Sequence, residues 1–173
     1  MSEKLTITGK IGFEPINKTK KHESQASWKR IAMVFFGGDI SDYYAWFINK
    51  RYNLELVKPL RGGHISFIND HVRDMIKNCN CDEEEANIAW DNAKAKWDGI
   101  YIPITLDLSP RTNEKHWWLN IPTDSCEIFN TIRREVNLGP PTYRYHMSIG
   151  YANEKWLSHS RYIHSCVKSG LIK

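Results

Sequence analysis

The chain has no long apolar run. Nowhere do about 18 consecutive apolar residues occur, the length that a membrane-crossing helix requires. Met1 to Lys10 hold neither an apolar stretch nor a small-residue cleavage site. No membrane partner is therefore expected, and the expected location is the cytoplasm. Cysteine is scarce as well: Cys79, Cys81, Cys126 and Cys166 are all there are. Without an export signal they are expected as reduced thiols. Cys79-Asn80-Cys81 lacks zinc-ligand spacing and has no second pair to close a site. Nor is there a carboxylate cluster of the kind magnesium sites use. No metal and no cofactor are expected. Excess charge is small too: a formal net charge of +4 suits an anionic ligand without requiring a nucleic-acid polymer.

What is present is a globular composition, with 41% hydrophobic and 25% charged residues over 173 positions. That excludes wholesale disorder and fits one domain spanning residues 1–173, either of ordinary single-bodied build or one compact body made of two lobes. Seven tryptophans and eight tyrosines stand out. Most are expected in the core, yet aromatic surplus beside basic residues is what a base-stacking pocket uses.

Periodicity and punctuation predict the elements. A short strand covers Leu5 to Ile11, and the Lys-rich stretch Asn17 to Ser27 is a loop. Ile31 to Phe36, bounded by Gly37-Gly38, is a buried strand. Ser41 or Asp42 caps a helix running to Lys50. A strand follows Gly62-Gly63. Asp82 to Trp97 is a helix with an acidic start, as the helix dipole favours. Tyr101 to Leu108 and His116 to Ile121 are strands expected to form a hairpin. Asp124 or Ser125 caps a second helix, stopped by Gly139-Pro140-Pro141. Tyr143 to Tyr151 is the last strand, and Asn153 to Lys173 is a mixed tail with Trp156, Tyr162 and Ile163 as packing residues.

Two strings inside these strands carry chemistry: Gly63-His64-Ile65-Ser66-Phe67 and Tyr145-His146-Met147-Ser148-Ile149. Side chains alternate faces along a strand. His64 and Ser66 therefore share one face and His146 and Ser148 share one, while Ile65 and Met147 point into the core. With seven histidines, on the order of one chance His-x-Ser match is expected, and His22-Glu23-Ser24 in a polar stretch is taken as that one. The other two each follow a strand, a capped helix and a Gly-containing turn. That is an internal β-α-β repeat, and a pseudo-twofold between the halves sets the motif strands side by side over a shared cleft.

These residues resemble the 2H phosphoesterases, defined by two His-x-Ser/Thr motifs with apolar flanks. The chain is most similar to the phage anti-CBASS cyclic-nucleotide phosphodiesterases. The further likeness rests on Lys10-Ile11-Gly12-Phe13, Ser27-Trp28-Lys29-Arg30, Pro59-Leu60-Arg61-Gly62-Gly63 and Gly150. The resemblance implies an α+β fold of duplicated β-α-β lobes with antiparallel sheets around a central cleft. It implies hydrolysis, without metal, of 3′–5′ bonds in small cyclic di- and trinucleotide immune signals. It also implies a place in the host cytoplasm for a phage-encoded chain. His64, Ser66, His146 and Ser148 carry over as catalytic. Trp28, Lys29, Arg61, Trp97, Arg144 and Tyr145 are candidates for holding substrate.

Chemically, one histidine takes the proton of the substrate's ribose 2′-hydroxyl and the other protonates the leaving 5′ oxygen. The serine hydroxyls hold the nonbridging oxygens, where charge builds. Two alternatives stand beside this reading. One is a 2′,5′-oligoadenylate or RNA-end 2′,3′-cyclic phosphodiesterase, which the small net charge disfavours for long RNA. The other is a non-catalytic cyclic-nucleotide sponge, which needs no pair of proton-transfer groups. Oligomeric state, and which histidine is base and which acid, are not legible.

Overall fold

The computed structural model describes residues 3–15 and 28–172. The loop expected at Asn17–Ser27 lies outside them, as does His22-Glu23-Ser24. Strand β1 (Lys4–Phe13) leads to β2 (Lys29–Phe35), helix α1 (Gly38–Tyr52), β3 (Leu56–Val57) and the first motif strand β4 (His64–His71). Helices α2 (Val72–Cys79) and α3 (Glu83–Trp97) precede β5 (Tyr101–Asp107), β6 (Arg111–Thr112) and β7 (His116–Asn120). Helix α4 (Glu127–Glu135), the second motif strand β8 (His146–Ala152) and helix α5 (Glu154–Lys168) complete the chain.

All eight strands join one antiparallel sheet in the order β5-β1-β2-β4-β8-β7-β6, with β3 beside β8. The fold is thus mixed α+β with one continuous sheet rather than several. Each motif strand alternates as its sequence dictates. Ile65, Phe67, Met147 and Ile149 are 0 to 1% exposed, while His64, Ser66, His146 and Ser148 are half-buried on the other face. Each such apolar side chain contributes about 1.5–3 kcal/mol of burial. Helices cover that apolar face: Phe129 of α4 stacks on Phe67 at 5.1 Å, and Trp90 of α3 packs on Phe13 at 4.9 Å.

The two motif strands are treated alike by their outer neighbours. Along β2 the partner jumps from Ile68 to Ser66 between Ala32 and Met33, so Phe67 is an extra residue on β4. Along β7 it jumps from Gly150 to Ser148 between Trp117 and Trp118, so Ile149 is an extra residue on β8. Both bulges directly follow the motif serine, and a bulge bends its strand and sharpens the twist.

Several expectations are corrected. Tyr101–Asp107 does not pair with His116–Asn120. It takes seven partners on the long strand β1 and lies towards the opposite edge, while the hairpin partner of β7 is β6. Helix α1 begins at Gly38, before Ser41 and Asp42, and the Ser41 hydroxyl donates back to the Gly38 carbonyl. Neither Asp124 nor Ser125 caps α4, because a 3₁₀ turn occupies Thr123–Ser125. That helix ends at Glu135, ahead of Gly139-Pro140-Pro141, where Asn137 adopts a left-handed conformation (φ 61°). The tail is the 15-residue helix α5. Its buried stripe passes through Ser160, a small polar residue that hides the periodicity and accepts a hydrogen bond from the Trp117 indole at 3.1 Å. Ile163 is buried as expected, but Tyr162 is exposed. Cys79 and Cys81 are joined by a disulfide rather than reduced, whereas Cys126 and Cys166 are free and buried. Among the described residues no helix is long and apolar enough to cross a membrane.

Candidate active site

A turn closed by the Gly62 N–H on the Pro59 carbonyl leads into β4. Gly62 sits at φ +68°, a left-handed conformation natural to glycine. At Gly63 a Cβ would lie 2.9 Å from the Ser41 side chain, so only glycine lets α1 approach this close to the motif strand. Strands β4 and β8 are joined at a single pair, His64 opposite Ser148. The antiparallel direction carries Ser66 towards the level of His146. The four motif residues are thereby brought onto adjacent strands, which lie about 4.8 Å apart where His64 and Ser148 pair, on the face opposite the helices.

Both imidazoles are tied in the same way. His64 Nδ1 lies 2.8 Å from the Gly62 carbonyl oxygen, and His146 Nδ1 lies 2.9 Å from that of Arg144. A carbonyl only accepts, so Nδ1 carries the proton in each ring and Nε2 is left as the basic nitrogen. Burial pushes the His64 pKa below its ordinary 6.5, partly offset by the Gly62 carbonyl. The charges of Arg61 and His146 push it further down. His64 is therefore held neutral at pH 7, and the two rings feel each other electrostatically. His146 also has Trp118 packed beside it, ring centroids 5.6 Å apart. That indole is held by its N–H donating to Asn120 Oδ1 at 2.9 Å.

A groove of about 980 Å³ opens on the β8 side and is lined by His146, Ser148, Trp118, Asn120, Arg144 and Arg111, together with His116, Tyr151 and others. Its size suits a nucleotide-scale ligand. His64 and Ser66 are not part of this lining and stand on the neighbouring strand. Among the described residues no group of three or more His, Cys, Asp or Glu side chains is arranged to hold a metal ion.

The other sequence candidates divide. The charge of Arg61 is felt at His64, and Arg144 lines the groove together with His146. Trp28 and Lys29 do not gather there. They lie level with His71, seven residues along β4 from His64, roughly 23 Å at strand rise. Trp28 stacks on His71 at 4.5 Å and Lys29 donates to Asn69. Trp97 stands on the helical side, its indole donating to Glu135 at 2.7 Å. Tyr145 is buried with its hydroxyl on Asn130, and burial raises the phenol pKa. Sequence reading passed over His116, Trp118, Asn120, Arg111 and Tyr151. The signal was the β7 pattern His116-Trp117-Trp118-Leu119-Asn120, which alternates out and in, so that Trp117 is core and Trp118 is not.

No family model, no curated protein and no solved structure matches the chain.

Proposed function

We propose that the chain is a phosphodiesterase cleaving 3′–5′ bonds of cyclic di- and trinucleotides by histidine acid–base chemistry, the activity of the 2H phosphoesterases that its motifs resemble. The observation that carries this reading is the matched pair of imidazoles. Each is tied at Nδ1 to a carbonyl two residues earlier, and each stands beside a serine on adjacent strands. A structural histidine needs no free basic nitrogen, whereas proton transfer needs two. The like bulges after Ser66 and Ser148 support the further reading that the halves are duplicated β-α-β lobes.

In this mechanism His64 Nε2 takes the proton of the ribose 2′-hydroxyl, being the ring held neutral at pH 7. The 2′ oxygen bonds to phosphorus and the bond from phosphorus to the 5′ oxygen breaks. His146 is the general acid, and a proton on its Nε2 passes to that oxygen. Ser66 and Ser148 donate to the nonbridging oxygens, and Arg61 and Arg144 offset the charge that builds on them. The product is a linear chain with a 2′,3′-cyclic phosphate and a 5′-hydroxyl.

The test is turnover of 3′3′-cyclic GMP-AMP in excess EDTA, followed by chromatography beside 2′,5′-linked oligomers and RNA 2′,3′-cyclic ends. Cleavage is expected to persist on chelation. His64→Ala and His146→Ala are each expected to lower it at least about a hundredfold, with circular dichroism unchanged. Loss on chelation, or full turnover in either variant, overturns the mechanism. Preference for a 2′,5′ or RNA-end substrate overturns the substrate class.

A further inference from the structure

One lateral row crosses the open face of the sheet. His64 on β4 pairs with Ser148 on β8, Ser148 with Trp118 on β7, and Trp118 with Arg111 on β6. Residues in register across adjacent strands share a face, so these four side chains rise from the same surface at intervals of about 4.8 Å. His116 lies two residues from Trp118, on the same face and beside Tyr151. Its pKa is lowered by burial and by the charges of Lys115 and His146, which ties it electrostatically to the motif histidine. The groove that Arg111 and His116 line holds no carboxylate among the described residues. Arg111 is exposed and forms no ion pair among those residues, although it also borders a second cavity lined by Glu3.

The other side of the motif pair is built differently. Opposite His64 and Ser66, strand β2 presents Phe35 and Met33, and Met33 is buried. Polar recognition is thus one-sided, lying over β7 and β6.

We infer that Arg111 and His116 form a second anion subsite, which takes the neighbouring phosphate of a ligand whose reacting phosphate lies at the histidine pair. This rests on the phosphodiesterase reading for the first phosphate and goes beyond it for the second. Arg111 supplies a permanent charge and a planar fork of donors that matches phosphate oxygens. His116, neutral at pH 7, supplies a ring N–H. Trp118, held by Asn120 midway along the row, is the floor that the intervening nucleoside crosses. The ligand class is a nucleotide carrying two phosphates one nucleoside apart, as in any cyclic or linear oligonucleotide, and not a mononucleotide with a single phosphate.

The test is calorimetric titration of the full chain with adenosine 3′,5′-bisphosphate and with AMP. The bisphosphate is expected to bind at least tenfold tighter, about 1.4 kcal/mol. In Arg111→Ala that advantage is expected to fall below threefold while the affinity for AMP moves little, and Arg111→Lys is expected to restore part of it. Equal loss for both ligands, or an advantage undiminished by Arg111→Ala, overturns the subsite. Because binding is read without turnover, failure of catalysis with the bisphosphate advantage intact overturns the enzymatic reading alone.

Discussion

An imidazole on a strand is free to present either nitrogen until one of them is tied. Here the backbone ties Nδ1 in both motif rings, and the geometry that does so is local: a left-handed glycine before His64 and the Arg144 carbonyl before His146. The lowered pKa of His64 has two consequences. As a general base it must be neutral, so kcat/KM is expected to fall on the acid side with a midpoint below 6.5. A pH–rate profile whose acid limb lies at or above 6.5 would assign the base elsewhere. For stability the sign is the same. A depressed folded-state pKa gives a contribution present above 6.5 and lost as pH falls through the folded value. The candidates Tyr145 and Trp97 illustrate what a residue-level reading misses. Both are aromatic residues near basic ones in sequence, yet each spends its polar atom on a partner behind the sheet, Asn130 and Glu135.

Elements with a clear period or cap were legible. Asp82 caps α3 by accepting from the Glu85 N–H at 2.8 Å, and β4 and β8 alternate as their apolar residues require. Elements whose stripe is interrupted by a polar residue were not, as α5 shows. What shapes the motif strands is the bulge, and the β4 bulge has a dedicated clamp. Arg133 of α4, 3% exposed, donates to the Phe67 carbonyl at 2.9 Å, to both Asp70 oxygens, and to the Gly139 carbonyl at 2.7 Å. It thus joins the bulge after Ser66 to the segment that enters β8. Arg133→Met strands the Asp70 carboxylate and two carbonyls, and is expected to cost about 3–5 kcal/mol. Asp70→Asn added to it should recover part of the loss. Urea unfolding of the unaltered chain and these two variants measures this, and a cost under about 1 kcal/mol for Arg133→Met would show that the clamp is idle.

At the scale of the whole molecule, both motif strands belong to one sheet, and one apolar cluster runs from Ile11 and Trp90 through Ile65 and Phe67 to Met147 and Ile163. The cluster draws its residues from strands and helices along the whole chain. Unfolding is therefore expected to be one cooperative transition, with far-ultraviolet circular dichroism and tryptophan fluorescence giving coincident curves in urea. Two separated midpoints would mean that the chain holds independent cores.

The sequence by itself determined the strands that carry the motifs and the face on which each histidine and serine stands, because a period of two is a local property of an extended chain. It determined the apolar backing of those strands for the same reason. The tertiary structure decided which strands are neighbours, since pairing joins residues far apart along the chain. It therefore decided that Trp118 and Arg111 continue the row from His64, and that Trp28 lies a strand's length away. It also decided which nitrogen each imidazole leaves free, because that depends on where a backbone carbonyl points.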